Sequence, residues 1–160
     1  MADRVDATIT IGGPVPADRL EDLLDAIEAD HLGSDWEERF ASRDDLLAFL
    51  QDGAEGVTLY GREVPSGEFV DLQALCHELG LSYVLTYDGQ WGPARRIWRP
   101  GDAGDGTTCL LNADGGFACV TADDIRFLAL PDVEAILQHL QLFNDPHVPP
   151  LEIVAAGAGA

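Results

Sequence analysis

The chain contains no lysine. Its nine cationic residues are all arginine, set against 29 Asp and Glu, for a formal net charge of -20 over 160 residues. A surface so poor in positive charge excludes general binding to a nucleic-acid backbone or to an anionic membrane, because both need cations. Long apolar runs are missing too, and no stretch approaches the roughly 18 residues of a membrane span. The first residues carry Asp3 and Asp6 where a secretory leader would be basic. A soluble, cytoplasmic protein is therefore expected. The three cysteines are few and odd in number, which suits a reducing compartment better than a disulfide framework.

Catalytic signatures are also lacking. There is no Gly-x-Ser-x-Gly elbow, no Walker-type loop and no His-Glu-x-x-His. Gly12-Gly13-Pro14 links a strand to a helix, where phosphate loops sit, but Pro14 and Pro16 remove the backbone donors such a loop supplies. It reads as a tight turn. His31, His77, His139 and His147 stand singly, without metal-ligand spacing, and Asp102, Asp105 and Asp114 lack the spacing of a calcium loop. No metal and no cofactor is expected, and the balance leans away from an enzyme.

What is present is enough apolar material, 46% of residues, for a core without staples. Residues 4–11 alternate with Val5, Ala7, Ile9 and Ile11 on one face, the pattern of a half-buried strand ended by Gly12 to Pro14. A helix over about 16–31 follows, with Leu20, Leu23, Leu24 and Ile27 on its apolar side and Gly33 as its stop. Ser34 with Glu37 predicts a short helical turn, and Ser42 with Asp45 predicts a helix near 43–52. Val57 to Tyr60 is a short strand, and Phe69, Leu72, Cys76 and Leu79 mark a helix stopped by Gly80. On that helix Cys76 turns to the core and His77 to water.

The second half is rich in strands: Leu81 to Tyr87, Ala94 to Arg99, Thr107 to Leu111 and Gly116 to Val120. A short helix capped by Thr121 and Asp124 and a last one using Val133, Ile136, Leu137, Leu140 and Phe143 close the pattern. Pro146, Pro149 and Pro150 end regular structure. Consecutive strands favour antiparallel pairing, so the expected fold is α+β, one domain over 1–154, with helices packed on a mostly antiparallel sheet. Residues 155–160 read as a disordered small-residue tail. A hairpin centred on Asp114 sets Cys109 directly opposite Cys119, whereas a two-residue turn at Asp114-Gly115 shifts them by one position. Buried thiols are favoured over a bridge.

Charge is distributed unevenly. Residues 1–56 hold fifteen acids and four Arg, residues 57–100 five and four, and residues 101–160 nine and one. Two surfaces follow. On the first predicted helix Asp18, Glu21, Asp22, Asp25 and Glu28 fall within about 120° opposite the apolar side. Five carboxylates over ten residues stand about 3.8 Å apart along the axis, comparable with the roughly 3.4 Å charge spacing of a DNA strand. The stripe is thus a candidate docking face for a basic partner, with Arg19 as the one cation noted nearby. The second surface is Trp91, Arg95, Arg96, Trp98 and Arg99, residue types that dominate binding hot spots.

The leading expectation is a non-enzymatic acidic protein that binds a basic surface of another protein. The partner class is a nucleic-acid-binding protein, met as by an inhibitor, a nucleic-acid mimic acting on a nuclease or defence complex, or an immunity-type protein. Two readings stand beside it. One is a small ligand-binding domain or enzyme that accepts an anion at the Arg/Trp strand. The other is acidity that reflects only salt or genome-composition adaptation.

Overall fold

A computed structural model describes residues 3–53, 55–114 and 116–156. The strands are β1 (Arg4–Pro16), β2 (Val57–Pro65), β3 (Ser82–Gly89), β4 (Gly92–Trp98), β5 (Thr107–Leu111), β6 (Ala118–Cys119) and β7 (Leu151–Val154). The helices are α1 (Leu20–Ala29), α2 (Arg43–Gln51), α3 (Val70–Leu79), α4 (Ala122–Phe127) and α5 (Val133–Asn144), and a 3-10 turn at Ala17–Arg19 leads into α1. Six strands run in the order β2-β1-β3-β4-β5-β6 with antiparallel neighbours, and β7 adds to β1 in parallel. This is the expected α+β class. Among the described residues no helix is long and apolar enough to cross a membrane.

Cross-strand registry sorts the side chains into two layers. Ala7, Ile9 and Ile11 of β1 share one face with Leu59 of β2 and with Tyr83 and Leu85 of β3. They form a single buried cluster with Leu23, Leu24 and Ile27 of α1, Leu46 and Leu50 of α2, and Leu72 and Cys76 of α3. The apolar side predicted for the first helix therefore packs on the sheet, although Leu20 is only half-buried. The opposite face holds a second, smaller cluster of Val84, Ile97 and Cys109 under Phe143 and Val148. Beside it Thr8, Thr10, Thr58 and Thr86 stay half-buried, with Thr10 and Thr58 joined through their hydroxyls at 2.8 Å.

Several local expectations hold. Ser42 Oγ accepts from the Asp45 N–H at 3.1 Å, Thr121 and Asp124 form a reciprocal capping box, and Gly80 ends α3 at φ 72°. Others are corrected. Gly12 to Pro14 is not a turn: β1 runs on to Pro16, because β7 approaches it and pairs Gly13 with Leu151. Regular structure consequently resumes after Pro150. Ser34 to Glu37 forms no helical turn, because the Asp35 carboxylate accepts the Glu37 and Glu38 N–H groups and folds a loop instead. The strand begun at Val57 extends to Pro65, and the one expected from Gly116 shrinks to Ala118–Cys119.

The β3–β4 turn falls at Gln90 and Trp91, with Gly89 paired to Gly92, rather than at Asp88-Gly89. Leu110 pairs with Cys119, so Cys109 and Cys119 are one position out of register and face opposite sides of the sheet. All three cysteines are free. On α5 only Phe143 is buried, while Val133 and Leu137 are 70% and 59% exposed, because the sheet beneath covers only part of the helix's apolar side. Of the expected disordered tail, Ala155 and Ala156 follow β7, and residues 157–160 lie outside the described residues.

Candidate functional site

The α1 and α3 helices lie side by side, joined by a polar clasp. Phe69, the N-cap of α3, offers no side-chain acceptor to the first turn. Asp30, at the end of α1, supplies one: its Oδ2 accepts from the Leu72 N–H at 2.8 Å. Gln73 Oε1 accepts from the Phe69 N–H at 2.8 Å. Burial pushes the Asp30 carboxyl above the ordinary aspartate range, with the backbone donors of Leu72 and Asp71 pulling the other way.

Between the two helices runs an open groove of about 320 Å³. Its rim carries Asp22 and Asp25 from α1 and Asp71 and Glu78 from α3, and its floor is made of Ala26, Ala29, Ala74 and Leu75. The two helices contribute with the same spacing, at 22, 25, 26 and 29 and at 71, 74, 75 and 78. Such i, i+3, i+4, i+7 sets lie along one helix face. Arg19 bridges one carboxylate from each helix, with Nε 2.5 Å from Asp22 Oδ2 and Nη2 2.6 Å from Glu78 Oε1. Those two hydrogen bonds raise its pKa, Asp22 first.

All five residues of the predicted α1 stripe, Asp18, Glu21, Asp22, Asp25 and Glu28, are exposed. They do not form one uniform track. Arg43, at the start of α2, reaches across to Glu21 and Asp25 at 2.5 Å and to Glu28 at 2.7 Å. Its guanidinium pKa rises in consequence, chiefly through the bonds to Glu28 and Asp25. The sequence reading counted Arg19 alone as a nearby cation; Arg43 was missed because it lies on another helix. Asp71 and Glu78 were missed as well, although their spacing around Ala74 and Leu75 was the available signal.

The Arg/Trp strand is organised differently. Trp91 is 82% exposed at the hairpin tip, and Arg99 lies just beyond the other end of β4. Eight strand rises, across the seven residues of β4, separate them by roughly 26 Å. Between them, Arg95 donates to the Phe143 carbonyl at 2.5 Å, at the C-terminal turn of α5, and to Thr86 Oγ1 at 3.1 Å. A cation there complements the helix dipole. Arg96 pairs with Glu68 at 3.1 Å, donates to Thr108 and lies 5.9 Å over the Tyr87 ring.

Trp98 is buried against the His77 and Tyr83 rings, with no acceptor for its Nε1–H among the described residues. His77 is half-buried there, its Nε2 3.1 Å from the Tyr83 hydroxyl, rather than turned to water. β4 therefore does not gather these five residues at one place. Among the described residues no group of three or more His, Cys, Asp or Glu is arranged to hold a metal ion. No protein-family model matches the chain, and neither a curated protein nor a solved structure shows significant similarity to it.

Proposed function

We propose that the chain is a non-enzymatic binding protein whose acidic face docks a basic surface of a partner protein, with the α1–α3 groove receiving a partner's arginine or lysine. The observation that carries this reading is the groove's composition, four carboxylates around a floor of alanine methyls and Leu75. Such a channel suits a side chain with an aliphatic stem and a cationic head, the stem lying on the floor and the head between carboxylates. The chain's own Arg19 already makes that contact between Asp22 and Glu78.

The net charge of -20 adds long-range attraction that speeds encounter. Arg43 offsets Asp25 on the rim together with Glu21 and Glu28 of the stripe. Short-range recognition in the groove therefore falls to Asp22, Asp71 and Glu78, where the partner's cation takes the place of Arg19, and the stripe acts mainly through its field. A basic partner that otherwise grips nucleic-acid phosphates fits this chemistry, as an inhibitor or immunity-type protein would meet it.

The test is capture of partners from the native cell with the intact protein and with two charge-matched triple variants. One is Asp22→Asn, Asp71→Asn and Glu78→Gln; the other is Asp123→Asn, Asp132→Asn and Glu134→Gln. A basic protein retained by the native chain and the second variant, and lost by the first, supports the groove. Equal loss from both shows that only net charge matters and refutes it. Neither variant shifts thermal stability by more than about 1 kcal/mol, since exposed charges contribute little.

A further inference from the structure

A second cleft lies away from the acidic groove, at the outer edge of the sheet. β2 is the edge strand, and the loop that leaves α1 folds along it. Gly33 exchanges both backbone hydrogen bonds with Tyr60, N–H to carbonyl at 2.9 and 3.0 Å. A side chain at Gly33 would collide with the Glu38 carbonyl, 2.1 Å from an ideal Cβ, so the loop closes tightly on itself. The result is a cleft of about 330 Å³ walled by Trp36, Tyr60, Arg39 and Arg62, with the acidic residues Asp35, Glu37 and Glu38 also lining it. Trp36 meets Tyr60 edge-on at 5.0 Å and 75°, and it is 39% exposed.

The arginines are the unusual element. Among the described residues, neither Arg39 nor Arg62 makes an ion pair or a side-chain hydrogen bond, in a chain where acids outnumber arginines 29 to nine. Every other arginine except Arg99 is engaged, by carboxylates or, for Arg4 and Arg95, by carbonyls. Two unengaged guanidinium groups beside two aromatic rings match a flat ligand that carries an anionic group. Asp35, Glu37 and Glu38 oppose a bare anion. Asp35 Oδ1 is taken by the Glu37 and Glu38 N–H groups, which leaves Glu37 and Glu38 to accept from amino donors. A long polyanion would run into the surrounding carboxylates, so the ligand is small.

We infer that this cleft binds a nucleoside monophosphate whose base bears an exocyclic amino group, with the phosphate at Arg39 and Arg62, the base against Trp36 and the amino group toward Glu37 and Glu38. The cavity is of the size ligand sites occupy, at the smaller end of the range. This site stands independently of the basic-partner groove.

The test is calorimetric titration of the full chain with AMP, GMP and CMP, against their deaminated counterparts IMP, XMP and UMP, the nucleosides adenosine, guanosine and cytidine, and inorganic phosphate, with tryptophan fluorescence as a second readout. At least one amino-bearing nucleotide binds saturably, with Kd below about 1 mM. Its deaminated counterpart, its nucleoside and inorganic phosphate each bind at least about fivefold more weakly, lacking the amino group, the phosphate and the base respectively. Arg39→Gln and Arg62→Gln each weaken that nucleotide about tenfold or more while thermal unfolding stays unchanged. Arg126→Gln, an exposed arginine elsewhere, leaves binding as it was. Absence of saturable binding for all three amino-bearing nucleotides overturns the assignment. So does phosphate binding as tightly as the nucleotide, or affinity that survives both cleft substitutions.

Discussion

Replacing Gly12 by alanine tests the way the last strand docks on the first. An ideal Cβ at Gly12 falls 1.7 Å from the Pro149 carbonyl oxygen and 2.7 Å from Val148 Cγ1. Backbone cannot yield as a side-chain tip does, so the chain has two responses. It can absorb the overlap locally, at the roughly 1–3 kcal/mol typical of overpacking. Alternatively it releases the segment leading into β7, exposing Val148 and Leu151, both 8% exposed in the fold. Freeing two such side chains costs about 3–6 kcal/mol at roughly 1.5–3 each. It also breaks the bond from the Gly13 N–H to the Pro150 carbonyl at 3.0 Å.

The cheaper route governs, so Gly12→Ala is expected to cost about 1–3 kcal/mol, a fall in Tm of about 2–12 °C for a chain of this size. Urea unfolding gives the free energy, and amide exchange at Ile153 and Val154 shows which route is taken. Gly116→Ala is the control, since a Cβ there meets only Asn112 Oδ1 at 3.9 Å; it stays within about 0.5 kcal/mol. A Gly12→Ala protein as stable as the control would refute the close approach of Pro149.

Two further outcomes follow from the titratable groups. Asp30 has its pKa raised by burial, so the native state holds that proton more tightly than the unfolded chain, and stability falls as pH climbs through the raised value. Asp35, lowered by the Glu38 and Glu37 N–H groups, acts in the other direction and only as pH falls below the ordinary aspartate range. The urea midpoint is therefore expected to fall as pH rises above the ordinary aspartate range; Asp30→Asn reduces that fall, and a variant that keeps all of it contradicts the clasp. For the thiols, a disulfide-exchange reagent reacts quickly with Cys119 alone in the native protein and with all three cysteines in denaturant. Burial pushes Cys76 up to about 12 and raises Cys109 as well. A Cys109–Cys119 bridge after mild oxidation would contradict the observed register.

The sequence carried the local features whose cause is local. Alternation placed Ala7, Ile9 and Ile11 in the core, and the capping residues Ser42, Thr121 and Asp124 stand where their spacing put them. What failed depended on residues distant in the chain. Gly12 to Pro14 carries the composition of a turn, yet it stays extended because Leu151 to Val154 pairs alongside. Val133 and Leu137 repeat with core periodicity, but periodicity does not say how wide a sheet lies beneath.

The same holds for the surfaces. The α1 stripe was legible because one helix carries it, whereas the groove needs α3 beside α1, and Arg43 reaches the stripe from α2. The Trp36 and Arg62 cleft joins a loop to a strand edge and has no signature along the chain.

The double allegiance of β1 bears on how the molecule is made. Ala7 to Ile11 are flanked by β2 and β3, but Gly13 to Pro16 find their partner only in β7. On a ribosome β1 emerges well before β7 and thus remains incomplete until the residues around 151 have left the tunnel. Contacts of such sequence separation also form slowly in refolding. Throughout that interval the stretch is an unpaired sheet margin containing Val15, an apolar side chain wholly buried in the finished protein. Pro14 and Pro16 alternate with Gly13, whose N–H faces β7, so the N–H groups they lack would lie on the margin opposite β7, and it is that margin they close to a foreign strand. The β7 side, where the Gly13 N–H stands open, has no such guard and is closed only when β7 docks.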